Sequence, residues 1–158
     1  MDWIKFLTLV ISFFTLLLSI YSARTLNQNK EKDRKVTVSL PEKRRMQKDL
    51  MDHITKVLDL GRRCFEETDE DERKKIKFEL LNHKVYIWIN LNEENSFAKE
   101  LRNHSTEYIF WCASFLDSSN EEEKCNFRTD SYKNQRSIMG VIEKYYKEEN
   151  RLIDDELV

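Results

Sequence analysis

The hydrophobic and polar positions divide this chain into two unlike parts. From Phe6 to Ala23 run 18 consecutive uncharged residues, FLTLVISFFTLLLSIYSA, and nothing of that kind follows. As a helix rising about 1.5 Å per residue, the run spans roughly 27 Å, close to the thickness of a hydrocarbon core. Trp3 and Lys5 precede it, and Tyr21 and Arg24 close it. Amphipathic aromatics and long cations are what the two membrane interfaces favour. The predicted organisation is a transmembrane anchor over 1–23, a basic juxtamembrane stalk over 24–40, a helical bundle over 41–150 and an acidic tail over 151–158.

Beyond the anchor, apolar residues recur at helical spacing. Val36, Val38 and Leu40 before the only proline predict a break near 36–40, with Ser39 as a cap and Pro41 in the first turn of a new helix. A first bundle helix is expected from Pro41 to Glu67, with Met46, Leu50, Ile54, Val57, Leu58, Cys64 and Phe65 on one face. Gly61 lies inside it and weakens it by about 1 kcal/mol relative to Ala. A second helix, capped at Thr68 and followed by acids, is expected to reach Asn90 with Ile76, Leu80, Leu81, Val85, Ile87, Trp88 and Leu91 inward. A third is expected over 96–116 on Phe97, Leu101, Tyr108, Cys112 and Phe115. Glu121 to Glu123 read as a short acidic turn, and a fourth helix is expected from Thr129 to about Asn150 on Ile138, Ile142, Tyr145 and Leu152. Short connections make neighbours antiparallel. The acidic end from Glu148 to Val158 is expected to fray.

Composition supports the same class. Two glycines and one proline in 158 residues are too few for hairpin turns or a phosphate-cradling loop, whereas long helices need neither. The fold class expected is all-α: an N-terminal transmembrane helix followed by an antiparallel bundle of about four helices.

Charge adds an orientation. Residues 24–48 carry Arg24, Lys30, Lys32, Arg34, Lys35, Lys43, Arg44, Arg45 and Lys48 against Glu31, Asp33 and Glu42, a net of +6, whereas residues 49–158 net −8. The positive-inside bias places the body in the cytoplasm and the N-terminus outside. Those nine cations are read either as contacts to anionic lipid or as a topology signal alone. The acidic bundle repels nucleic acid. Cys64, Cys112 and Cys125, odd in number and widely spaced, suit a reducing compartment. A cleaved signal peptide is the alternative to an anchor. MDWIK is a poorly charged leader, and a cut after Ala23 puts Tyr21 where a small residue belongs; a cut after Ser22 fits better.

Inside the anchor, Thr8, Ser12, Thr15, Ser19 and Ser22 fall at spacings of 4, 3, 4 and 3, on one helical stripe. Small hydroxyl residues let membrane helices approach closely. The alternative is that each hydroxyl bonds back to its own helix.

Chemistry is harder to find. The sequence has no Gly-rich loop, no His-Glu-x-x-His, no paired Cys-x-x-Cys and no Gly-x-Ser-x-Gly. The expectation is a non-enzyme with no cofactor or metal. His53, His83 and His104 fall on three predicted helices, and whether they converge is open. Cys64 and Cys112 read as buried, while Cys125, in an expected loop beside Lys124, is the candidate reactive thiol. The sequon Asn103-His104-Ser105 reads as a chance match in a cytoplasmic body. Helical ribonucleases of the HEPN type carry Arg, a polar residue, then His after four to six residues. Arg45 to His53 leaves seven between, with Met46 next to the Arg, and Arg73 to His83 leaves nine, so neither matches.

The overall plan, with IYSARTLNQNK as the membrane exit, resembles small uncharacterised single-pass membrane proteins of bacteria and phages with a cytosolic helical bundle. That resemblance implies an accessory or defence-related role at the inner membrane and no catalytic residues. The leading expectation is an interaction or scaffolding module whose partners are membrane lipid, a second copy or another membrane helix, and a soluble protein. The alternative is a membrane-perturbing effector of a phage-exclusion or defence system. An enzyme with dispersed active-site residues is a third reading.

Overall fold

A computed structural model describes residues 2–34, 37–38 and 40–155, and within the first helix the side chains of residues 3 and 13–30. Five helices make up the described residues: α1 Asp2–Arg34, α2 Leu40–Cys64, α3 Glu70–Asn90, α4 Ala98–Asp117 and α5 Glu121–Asp155. The chain divides into two compact units, residues 1–42 and 43–156. Among the described residues, no helix is long and apolar enough to cross a membrane.

In the first unit, α1 is one unbroken helix of 33 residues that carries the uncharged run directly into the charged stalk. Phe13, Phe14, Leu16, Leu17, Leu18 and Ile20 are all exposed. The helix ends at Arg34 and α2 begins at Leu40, with Pro41 in its first turn, as the β-branched run and the proline require. The expected cap, Ser39, lies outside the described residues.

In the second unit, α2 to α5 form a four-helix bundle. His53 meets His83 and Tyr86, and Leu50 shares a groove with Ile89 and Leu91, so α2 and α3 are antiparallel. Lys77 pairs with Asp117 and Trp88 bonds Thr106, so α3 and α4 are antiparallel. Trp111 stacks on Phe127 while Asn95, just before α4, reaches Tyr145, which sets α4 against α5 in the same sense. The core runs through Leu50, Ile54, Val57, Leu80, Leu101, Tyr108, Ile138 and Tyr145, all essentially inaccessible.

Several boundaries differ from the sequence reading, each for a local reason. The amides of Phe65 and Glu66 turn back to the carbonyls of Arg62 and Arg63, and Glu67 then accepts the amides of Thr68 and Asp69. That ends α2 at Cys64. Asp69, not Thr68, caps α3, accepting from the amides of Asp71 and Glu72 at 3.0 and 2.9 Å. The acidic turn is not separate: Asn120 accepts from the Glu122 amide, and α5 runs unbroken from Glu121. Its early turns are held by Phe127 on Trp111 and by the Arg128 guanidinium over Phe65. The end does not fray by Asp155, because Ile153 is buried. Met46 lies outside the core, and Gln47 takes its place, bonding Asn150 on α5.

The connector between α3 and α4 docks through polar groups. Asn95, 2% exposed, donates to the Tyr145 carbonyl and to Glu149, and accepts from the Phe97 amide. Asn92 donates to both Glu149 oxygens, and its amide meets the Tyr145 hydroxyl. Burial pushes that hydroxyl up to about 12. Buried Asn95 needs these partners, since an unpaired buried amide costs about 1–3 kcal/mol.

The tightest constraint lies between α2 and α4. A Cβ on Gly61 would sit 2.0 Å from the Tyr108 hydroxyl and 2.5 Å from its ring carbon. Tyr108 is itself fully buried, with its hydroxyl donating to the Leu58 carbonyl at 3.3 Å. Glycine therefore permits the close approach, against its poor helix propensity. Gly61→Ala is expected to destabilise the bundle by about 1–3 kcal/mol despite the better propensity of Ala, read from the thermal or urea midpoint by circular dichroism. Gly140, where an added Cβ meets nothing, should gain from the same change.

Candidate functional site

Antiparallel packing of α2 on α3 brings two imidazoles together. Nδ1 of His53 lies 2.7 Å from Nδ1 of His83, and the His53 ring stacks on Tyr86 at 3.5 Å between centroids, 3° from parallel. At that distance one nitrogen donates and the other accepts, so the neutral pair shares one proton along the contact. Burial holds both rings below the ordinary imidazole value. Lys56 lowers both further, and His53 lowers His83. Asp49 and Asp52 oppose the shift at His53, as Glu79 does at His83.

Two imidazoles amount to half of a tetrahedral zinc set. Among the described residues, no group of three or more His, Cys, Asp and Glu is placed to hold a metal. His104 lies elsewhere, 3.4 Å from the Asn134 side-chain oxygen and 3.9 Å from Glu100. The three histidines thus resolve into one pair and one separate residue.

Cys64 and Cys112 are buried as expected, and they meet across the α2–α4 contact. The Cys64 thiol donates to the Gly61 carbonyl at 3.0 Å. Its bond with Cys112 and its burial keep it firmly protonated. Cys125 is exposed but sits on α5, not in a loop.

A cleft of about 470 Å³ at the α3–α4–α5 end gathers Arg73, Lys74, Lys77 and Lys124. Each cation has a partner on the protein. Arg73 donates to the Phe115 and Leu116 carbonyls, where the end of α4 concentrates negative charge. Lys77 pairs with Asp117, Lys124 with Glu121, and Lys74 with Glu70 and Asp71. The cleft secures helix ends more than it offers free charge.

The expected membrane-side residues are placed only in part. Thr15, Ser19 and Ser22 are exposed on α1, where the Ser19 hydroxyl donates to the Thr15 carbonyl at 2.8 Å. The side chains of Thr8 and Ser12 lie outside the described residues. Arg24 and Lys30 are exposed on α1, and Arg44, Arg45 and Lys48 on α2, with Lys43 half-buried. The side chains of Lys32, Arg34 and Lys35 lie outside the described residues. Compared with protein-family models, curated proteins and solved structures, the chain matches none.

The histidine pair generates a pH dependence with a definite sign. The unfolded chain takes up protons on these rings near pH 6.5, before the folded chain does. Stability present above that value should be lost as pH falls through the lower folded values. Thermal midpoints measured from pH 7.5 down to 5 are expected to decline, and His83→Gln should decline less steeply. Equal slopes for the two proteins would remove the pair as the cause.

Proposed function

We propose that the chain is a single-pass, membrane-anchored module that works by interaction and not by catalysis, with its helical bundle at the cytoplasmic face. One observation carries this reading. Among the described side chains of α1, Phe13, Phe14, Leu16, Leu17, Leu18, Ile20 and Tyr21 surround the helix, apart from the strip of Thr15, Ser19 and Ser22, and are exposed. A helix apolar around most of its circumference needs lipid or another protein surface. The uncharged run to which these residues belong has the length of a hydrocarbon core.

The cations of residues 24–48 support the orientation, since their excess lies on the bundle side of the run. The hydroxyl strip from Thr8 to Ser22 is where a second membrane helix would approach, with small side chains at the contact. The role of the bundle is to receive a partner near the membrane. Its two buried thiols and most of its interior polar groups are taken up in packing and in docking one segment on another.

Fractionation of the full chain tests the proposal. It should stay in the membrane pellet after alkaline carbonate, and added protease should digest the bundle only in vesicles with the cytoplasmic face outward. Leu17→Arg adds about 3 kcal/mol to the insertion cost at mid-helix and should move much of the chain to the soluble fraction. Full extraction of the unmodified chain, or digestion from the opposite face, would overturn the anchor or its orientation respectively.

A further inference from the structure

The contact between His53 on α2 and His83 on α3 has the form of a ligand pair. Both rings are half-buried, so the pair lies at the surface of the bundle and not in its core. The two rings are inclined at 73°, and the His53 ring lies flat against Tyr86 at 3.5 Å. Metal-ligating histidines are held in a fixed plane by neighbours of this kind. The separation of the two Nδ1 atoms, 2.7 Å, is informative. With metal–nitrogen bonds of about 2.0–2.1 Å, two ligands at right angles stand about 2.8–3.0 Å apart, and two at the tetrahedral angle about 3.3–3.4 Å. The observed value lies beside the first range. Right-angled pairs belong to tetragonal sites, in which nitrogen and oxygen donors select copper(II) or nickel(II).

We propose that His53 and His83 are the two protein ligands of a divalent metal ion of tetragonal preference, nickel(II) or copper(II), which ties α2 to α3. Among the described residues, no third His, Cys, Asp or Glu joins the pair closely enough to ligate, so water takes the remaining positions. The surrounding charge favours a cation. Asp49 lies one helical turn before His53, and Glu79 one turn before His83. These two and Asp52 act on the pair with negative charge, and Lys56 acts on it with positive charge. Three carboxylates thus stand against one ammonium. Without metal, one ring donates its Nδ1–H to the Nδ1 of the other. Metal entry moves that proton to Nε2 of the same ring by way of solvent. Both rings then stay neutral, and each turns an Nδ1 lone pair from its neighbour to the ion. Because the ligands come from two helices, the metal binds the folded bundle and not the unfolded chain, and it stabilises the α2–α3 contact.

The inference concerns the bundle and is independent of the anchor. The test uses the full chain in detergent micelles, with Cys125→Ser to remove the exposed thiol as a competing ligand. Nickel(II) chloride is the probe, in a buffer without chelating groups. Equilibrium dialysis should find one nickel per chain. Saturating nickel should raise the thermal midpoint by about 5 °C or more, and EDTA should reverse the rise. His53→Gln and His83→Gln should each abolish both effects, with a midpoint taken in EDTA showing that each variant is folded. His104→Gln, on the separate histidine, should keep them. Glu79→Gln should weaken nickel binding several-fold, and Lys56→Gln should tighten it. Zinc should bind several-fold more weakly than nickel, since it favours the wider tetrahedral separation. Absence of stoichiometric nickel, or binding by a folded His83→Gln variant equal to that of the parent, would overturn the site. Zinc binding as tight as nickel binding would overturn the tetragonal assignment.

Discussion

The ring of Tyr108 over Gly61 is the contact on which the bundle depends. It sets how closely α2 and α4 approach, because any side chain at position 61 would occupy the space of the tyrosine hydroxyl. Around it, Cys64 donates to the Gly61 carbonyl and meets Cys112, while the Tyr108 hydroxyl reaches the Leu58 carbonyl. The diagonal of the bundle is thus filled by one large ring, two thiols and a missing Cβ. Helices α3 and α5 then pack on either side with aliphatic side chains, among them Ile76, Leu80, Ile138 and Val141. Close-packed interiors transmit such a constraint, since neighbouring side chains have little empty space into which to move.

Where apolar contact is thin, polar groups fix the geometry. The connector of residues 91–97 is tied to α5 by Asn92 and Asn95 through Tyr145 and Glu149, and Arg73 and Lys77 of α3 grip the end of α4. On the outer side of α3, Trp88 adds to the fold through its indole N–H, which donates to the Thr106 hydroxyl. Phe78, Val85 and Ile89 on that side are mostly exposed, yet they are as apolar as the residues of the core. The same excess appears in α1, where Phe13, Phe14, Leu16, Leu17 and Leu18 are exposed. Both surfaces are apolar and exposed in the chain taken alone.

Much of the architecture was legible in the sequence. Spacing placed Leu50, Ile54, Val57, Ile76, Leu80, Leu101, Tyr108 and Ile138 inside, and the proline marked the start of α2. What could not be read was side. On α3 the apolar residues Leu81, Val85 and Trp88 share helical spacing with Ile76, Leu80 and Ile87, and only packing shows that they point outward. The Gln47 and Asn95 sites were hidden for the opposite reason: polar residues read as surface until their partners on α5 are known. Gly61 looked like a weakness in a helix because its reason lies on another helix, 47 residues away. The pairing of His53 with His83 required the register of α2 on α3, which a single sequence does not encode in any local pattern.

The proposed division into a membrane anchor and a bundle with its own core is tested most directly by amide hydrogen exchange on the full chain in lipid vesicles. Amides of residues 6–23 should exchange far more slowly than those of the stalk that follows, because hydrocarbon excludes water from them. A second protected set should cover α2, α4 and α5 around Leu50, Tyr108 and Ile138. Exchange across 6–23 as fast as in the stalk would contradict the anchor at its root, whatever protection the bundle showed.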